Sequence, residues 1–378
     1  MKDKLIRITT IPISLEKLLG GQLSFMSDFF NITAVSSDKE RLEEYGKSEC
    51  IDTYHLEMTR KITPLQDFKA FLNLYFFLKK NKPAIVHTHT PKAGIIGMLA
   101  AYLAKVPNRL HTVAGLPLLE ATGVKRTVLN FVEKLTYKCA TNVYPNSNGL
   151  KNIILDNRFT KKEKLKVIAN GSSNGIDTSY FNPQLFTIEE KKALKEMLNI
   201  KESDFVFIFV GRIVGDKGIN ELVAAFDKLS KENKSVKLLL VGPFEADLDP
   251  LKKKTSGIID VNKQIISVGF QNDVRLYFTI ADILVFPSYR EGFPNAVMQA
   301  GAMNLPSIVT DINGCNEIIE ENKNGLIIPI KNIPLLFQAM LQIMKDTKMK
   351  GNARAMITSR FKQKVVWEAL LTEYKSLE

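Results

Sequence analysis

Short apolar runs alternate with amphipathic stretches of helical length along almost the whole chain, and this alternation constrains the fold more than any other feature. Runs of this kind lie at 4–9, 32–35, 84–88, 109–113, 142–144 and 166–168, and again at 205–210, 237–241, 265–268, 283–286, 307–309 and 325–328. Helical patterns fall between them at 68–79, 94–104, 127–139 and 149–155, then at 219–229, 274–279, 295–303 and 333–344. Continuous apolar runs too short for a helix predict strands buried on both faces, which means parallel sheets covered by helices. At 378 residues the chain exceeds one ordinary domain, and the two series of runs predict two. The turn-rich stretch "ANGSSNGIDTSYFNP" at 169–183 is the best linker between them. We therefore expect an α/β protein with two Rossmann-like doubly wound domains, 1–175 and 176–355, facing across a cleft. A helix at 356–378 is expected to pack back toward the first domain. Ligands of such sheets bind at the carboxyl ends of the strands.

The charge balance narrows the partners. The formal charge of +12, from 52 basic and 40 acidic residues, favours nucleotides, nucleic acid or an anionic membrane face. The basic residues are scattered, with no aromatic-basic motif or recognition element, so nucleic acid is not an expected partner. Cys50, Cys139 and Cys315 show neither paired nor metal-type spacing, which fits a reduced, cytoplasmic setting. The first apolar stretch is short and interrupted by Arg7, a poor signal peptide, and the run 93–104 is too short to span a bilayer. A chain of this kind is soluble or lies on a membrane surface.

Two segments carry candidate chemistry. "VFIFVGRIVGDKGINELVAAF" (206–226) is a strand, a glycine turn with Arg212 and Lys217, and an amphipathic helix. Gly211, Gly215 and Gly218 permit a tight turn, and the helix start offers amides to an anion. The spacing matches neither the dinucleotide fingerprint nor the Walker loop. Taken alone, this stretch serves equally well as a solvated turn. "YREGFPNAVMQAG" (289–301) repeats the design, with Pro294 suited to a first helical turn and amides from Gly292, Phe293 and Asn295 aimed toward a ligand. Glu291 precedes the helix and Gln299 is expected about two turns in. Alone, Glu291 would only stabilise the helix dipole.

Together the two turns resemble the donor-binding half of the retaining glycosyltransferases of family 4, which have the GT-B fold. The resemblance is strongest over 205–317, where "EGFPN" matches the family's E-G-F-x-N turn and "LPSIVTDINGCNEII" its continuation. It implies that Arg212 and Lys217 hold a nucleotide diphosphate and that Glu291 contacts the donor sugar. The amides of Gly292, Phe293, Pro294 and Asn295 would face sugar and phosphates, Pro294 contributing shape only since it has no N–H. The family's usual second glutamate, on the ribose hydroxyls, is Gln299 here, and an amide can still serve a diol. Arg212, Lys217 and Glu291 are the candidate catalytic residues.

The first half adds an acceptor side. "LLGGQLSF" (18–25) resembles the family's glycine turn after the first strand, with Gly20 and Gly21 approaching phosphates or acceptor. "IVHTHTPKAG" (85–94) places His87 and His89 on one face of a strand end and resembles members that extend lipid-linked sugars. His89, Thr90 and Lys92 would then line the acceptor side. With only His55 and His111 besides, no metal site is expected. Many relatives carry a histidine near Ala114 where this chain has none, and His111 is expected in the core. The aromatic segment 67–82, basic at its end, has the composition of an interfacial membrane helix, but it immediately precedes a strand and is expected to pack on the sheet, so the apolar-then-basic stretch 114–126 is the better membrane candidate.

The resemblance implies retaining transfer of a hexose-type sugar from a nucleoside diphosphate donor, UDP favoured, to a glycan or polyprenyl-diphosphate-linked acceptor in surface polysaccharide assembly. No metal or cofactor is expected, and the protein would work peripherally on the inner face of the cell membrane. A sugar-nucleotide epimerase on the same fold is the alternative enzyme, and a nucleic-acid-binding protein the alternative of another class.

Overall fold

The apolar runs pair edge to edge into two all-parallel sheets in the computed structural model, which describes residues 2–59, 61–116, 118, 121–245, 249–345 and 348–377. The first sheet comprises β1 (Lys4–Ile8), β2 (Asn31–Ser36), β3 (Asp52–His55), β4 (Ile85–His89), β5 (Asn108–Val113) and β6 (Asn142–Pro145), in the order β3-β2-β1-β4-β5-β6. The second comprises β7 (Phe205–Val210), β8 (Val236–Val241), β9 (Ile265–Gly269), β10 (Ile283–Phe286), β11 (Ser307–Thr310) and β12 (Gly325–Ile328), in the order β12-β11-β10-β7-β8-β9. In each sheet the strand order reverses once, between β1 and β4 and between β7 and β10. That reversal opens a crevice at the carboxyl ends, because the connections on its two sides diverge.

Burial explains why these runs are strands. Every residue of β4, β10 and β11 is buried, as expected for strands with helices on both faces. β3 has the mixed sequence DTYH and no apolar run, which is why the sequence pattern missed it. Residues 166–168 do not form the expected strand. Leu165 makes a single bridge to Val143, and the chain then turns through Ala169 at φ 49°.

The chain divides into two compact units, Met1–Gly175 with Gln363–Glu378, and Ile176–Lys362. The helix Gln363–Lys375 belongs to the first unit and gives Leu370, Leu371 and Tyr374 to the core on one face of its sheet. The helices Pro64–Asn81, Pro91–Leu103 and Gly123–Cys139 fill the other face through Leu74, Ala100 and Tyr137, among others. The second unit has one continuous core in which Phe207, Phe209 and Phe226 are fully buried.

Candidate functional site

The loops leaving β7, β10 and β11 meet at the crevice of the second sheet. The β7 loop starts at Gly211 (φ 152°), beside Gly242 just past the neighbouring strand β8, where a Cβ would lie 1.8 Å from the Gly211 carbonyl oxygen. Asp249 braces the turn: its carboxylate accepts the Asp216 N–H at 2.6 Å and its carbonyl the Gly215 N–H at 3.1 Å. Gly218 (φ 71°) then begins the helix Ile219–Glu232, and a Cβ there would sit 2.1 Å from the carbonyl oxygen of Pro287. Glycine is required because the β10 loop passes directly over this position.

Four contacts bolt those two loops together. The Tyr289 N–H donates to the Asp216 carbonyl at 2.9 Å, and the Tyr289 hydroxyl donates to the Glu221 carboxylate at 2.5 Å. Arg290 pairs with Asp216 at 2.6 Å. Lys217 pairs with Glu291, and the two side chains are only 15% and 17% exposed. Arg212, more open, pairs with Glu245 at 3.2 Å. The β11 loop closes the arrangement: the Asn313 amide donates to the Glu291 carbonyl, and Gly314 (φ 79°) lies against the Gly292 carbonyl and Phe293. Lys217, Arg212 and Arg290 are thus each paired with a carboxylate at these loops, and Glu291 is the one that holds Lys217.

The helix Asn295–Ala302 starts at Pro294 with no side-chain cap, so its first amides carry the helix-dipole charge without a local partner side chain. Phe293 is buried against Phe361, with ring centroids 5.4 Å apart, and fixes the entry to the helix. Gln299 is half-buried and lies one turn into this helix, not two, because the helix starts only at Asn295. Its side chain makes no hydrogen bond among the described residues.

The first-unit candidates have different surroundings. Gly21 lies against Trp367, where a Cβ would be 2.9 Å from the ring, and Gly20 accepts from Asn174 through its carbonyl at 3.0 Å. His89 is buried, with Nε2 2.7 Å from Arg7. Arg7 also donates to Gln22 at 2.8 Å, and Gln22 donates to Asn174 at 3.1 Å, so one polar network joins His89 to the glycine turn. Burial, followed by the positive charge of Arg7, holds both His87 and His89 well below the usual imidazole range, as neutral rings. Thr90, at φ 72°, meets the Thr10 hydroxyl at 2.8 Å where β1 and β4 end. Lys92 turns away to Asp67 at 2.7 Å and to the Lys61 carbonyl. His111 is a core residue whose ring fills the space beside Gly94, and burial pushes its pKa down to about 4. Among the described residues no cluster of three acidic, histidine or cysteine side chains could hold a metal ion.

One expectation about membranes changes. Pro117, Leu119 and Glu120 of the 114–126 stretch lie outside the described residues, while Leu116, Leu118 and Ala121 are buried. Those apolar side chains serve the core rather than a lipid face. No described helix is long and apolar enough to cross a membrane.

The braces Asp216, Tyr289, Arg290, Asp249 and Asn313 escaped the sequence reading, as did Arg7, Gln22 and Trp367. Their only sequence signal was position beside a recognised turn, as with Asp216 and Arg290.

Comparison with known proteins covers both units. The family described as glycosyl transferases group 1 matches residues 190–361, and the glycosyl transferase 4-like family matches residues 22–147. The capsular polysaccharide biosynthesis glycosyltransferase CapM of Staphylococcus aureus is 30% identical over 379 residues, covering 99% of this chain and 97% of the relative. The chain belongs to the group 1 glycosyl transferases. A second relative of this glycosyltransferase, the UDP-Gal:alpha-D-GlcNAc-diphosphoundecaprenol alpha-1,3-galactosyltransferase of Escherichia coli, is 30% identical and covers 96% of the chain and 95% of the relative. Among solved structures, a glycosyltransferase from Rickettsia africae ESF-5 superposes with a TM-score of 0.81 at 20% identity, covering 100% of this chain and 98% of the other. Anabaena HepE in complex with UDP and glucose superposes with a TM-score of 0.80 at 16% identity, covering 99% and 100%. This glycosyltransferase therefore has the GT-B fold, and both charged turns fall within the matched group 1 segment.

Proposed function

We propose that this glycosyltransferase moves a hexose-type sugar from a UDP-sugar to a polyprenyl-diphosphate-linked acceptor, with retained configuration, in surface polysaccharide assembly. It would do so as a peripheral protein on the inner face of the cell membrane. The observation that carries the reading is the Lys217–Glu291 pair at the sheet crevice, with Arg212 beside it and an uncapped helix start behind it. The S. aureus and E. coli relatives, whose names specify capsular polysaccharide and a diphosphoundecaprenol-linked acceptor, support the acceptor class.

The chemistry follows from charge. A donor diphosphate competes for Lys217 and Arg212, which are held in the free chain by single carboxylates, and the helix amides add fixed dipoles at no reorganisation cost. Once Lys217 turns to phosphate, the Glu291 carboxylate is released toward the sugar, where positive charge develops as the glycosidic bond breaks. With Glu291 acting as an electrostatic partner of the sugar and not as a nucleophile, the acceptor oxygen attacks on the face the leaving group departs from. The departing phosphate oxygen takes the acceptor proton. Arg212, Lys217 and the backbone N–H groups of Gly292, Phe293 and Asn295 would carry the growing negative charge, and Gln299 would bind the ribose. No metal or cofactor enters this scheme.

The test is product analysis with a panel of nucleotide sugars and a polyprenyl-diphosphate-linked sugar, with and without chelator. Acceptor-dependent formation of a product with the donor's anomeric configuration is expected in both conditions. Turnover of donor without acceptor, an inverted product, or activity lost to chelator would overturn the corresponding part of the scheme.

A further inference from the structure

The helix Pro64–Asn81 turns apolar side chains in two opposite directions. Ala70, Leu74 and Leu78 are buried in the sheet core. On helical spacing Leu65, Phe68, Leu72 and Phe76 fall on the opposite ridge, where they are 88%, 61%, 36% and 64% exposed. The helix Gly123–Cys139 has the same design: Glu133, Thr136 and Tyr137 are buried, while Val124, Val128 and Phe131 on the opposite ridge are exposed. Both helices flank and pack on Pro91–Leu103, in the same layer of the first unit. A helix whose outer face meets only water carries polar residues there, and apolar outer faces on two helices of one layer mark a contact.

The charges select the occupant. Every exposed charged side chain of these two helices is basic: Lys69, Lys79 and Lys80 on one, Lys125, Lys134 and Lys138 on the other. Their two carboxylates offset nothing at this surface, since Asp67 is held by Lys92 at 2.7 Å and Glu133 is buried. A second copy of the chain would set lysine against lysine. Exposed phenylalanines rimmed by lysines, on a helix that cannot span, are the composition of an interfacial helix.

We propose that the outer faces of Pro64–Asn81 and Gly123–Cys139 seat the protein on an anionic lipid bilayer surface. Phe68, Phe76 and Phe131 enter the headgroup–acyl boundary, and the lysines lie among the phosphates. The inference rests on the lipid-linked acceptor reading for its purpose, and its geometry is separate from the donor crevice.

Flotation of the full chain tests it, with vesicles of phosphatidylglycerol and phosphatidylcholine in equal parts and with phosphatidylcholine alone, in the absence of donor. Binding is expected only to the phosphatidylglycerol vesicles and should weaken with salt. The double variant Phe68→Ser/Phe76→Ser, and separately Phe131→Ser, should each lose about tenfold in partitioning, with an unchanged melting temperature. UDP-sugar binding should be unchanged in these variants, so a failed donor reading and a failed membrane surface give different patterns. Wild-type protein that stays unbound at low salt, or variants that float as well as wild type, would overturn the proposal. So would a wild-type dimer in vesicle-free solution that the same substitutions dissociate, since the face would then belong to a second copy.

Discussion

Lys217 and Glu291 show how much a single pair can decide. Each charge is largely withdrawn from water and is compensated chiefly by the other, so removing one leaves its partner costly in place. Lys217→Ala and Arg212→Ala should each weaken UDP-sugar binding by about 1.5–3 kcal/mol, the range for hydrogen bonds to charged groups, as read by titration calorimetry. Unchanged affinity in both would remove the diphosphate assignment. The two polar side chains of the β10 loop and its helix should separate kinetically. Glu291→Gln is expected to lower kcat about 10²-fold, because its charge acts in the transition state. Gln299→Ala should chiefly raise the donor KM, because ribose binding is equal in ground and transition states. Steady-state kinetics with donor varied at saturating acceptor would distinguish these signatures from their reverse. Arg212, Lys217 and Glu291 were legible because each is a charge in a glycine turn directly after an apolar run. Their braces were not, since Asp216 and Arg290 are 74 residues apart and only the fold puts them in contact. Gly218 combines both lessons: its positive φ could be anticipated from the turn, but its closeness to Pro287 could not. Gly218→Ala should destabilise the second unit by about 2–4 kcal/mol through strain and overpacking, measurable by denaturant unfolding.

At the scale of elements, the continuous apolar strands were the most legible part of the chain, because a strand covered on both faces has no polar positions to blur its pattern. β7, β10 and β12 occupy the predicted ranges 205–210, 283–286 and 325–328. Helices were harder wherever burial contradicted chemistry. In Gly123–Cys139 a carboxylate faces the core and a phenylalanine faces out, so the sequence pattern alone misplaces Glu133 and Phe131. Burial pushes the Glu133 carboxyl up to about 7 from an ordinary 4.5. The folded protein therefore holds a proton that the unfolded chain releases between these values, and stability contributed at this position falls as pH rises from 4.5 to 7. Glu133→Gln should match wild type at the acid end of that window and become more stable by about 3 kcal/mol above it. Urea unfolding of both proteins across the window would test this, and a pH-independent difference would exclude a buried, protonated Glu133.

For the molecule as a whole, the decisive feature is that the first unit is built from two separate pieces of chain. Arg7 lies fully buried on β1 and donates to the hydroxyl of Tyr374, which also meets His87 Nδ1 at 2.5 Å. Beside it, the Tyr144 hydroxyl donates to Glu373 at 3.0 Å. Tyr374→Phe leaves Arg7 and His87 buried without this partner and should cost the first unit about 1–3 kcal/mol. Hydrogen exchange should locate the loss in β1 and β4 and leave β7 and β10 protected as before, and a uniform change in both units would contradict the assignment. The general two-domain architecture was legible from the repeated alternation, whereas a buried arginine satisfied by a tyrosine near the other end of the chain leaves no local trace. Protein synthesis proceeds in one direction, and this arrangement runs against it. The strands of the first sheet emerge from the ribosome early, yet Trp367, Leu370 and Tyr374 emerge only after all of residues 176–362. Throughout that interval the nascent sheet holds an arginine without its tyrosine partner and an apolar strip around Leu5 and Ile85 that lacks Leu370, Leu371 and Tyr374 from its cover. The second unit can close while the first still waits, so of the two units the one that starts first is completed last, and a ribosome stalled between them presents chaperones with a partly covered sheet.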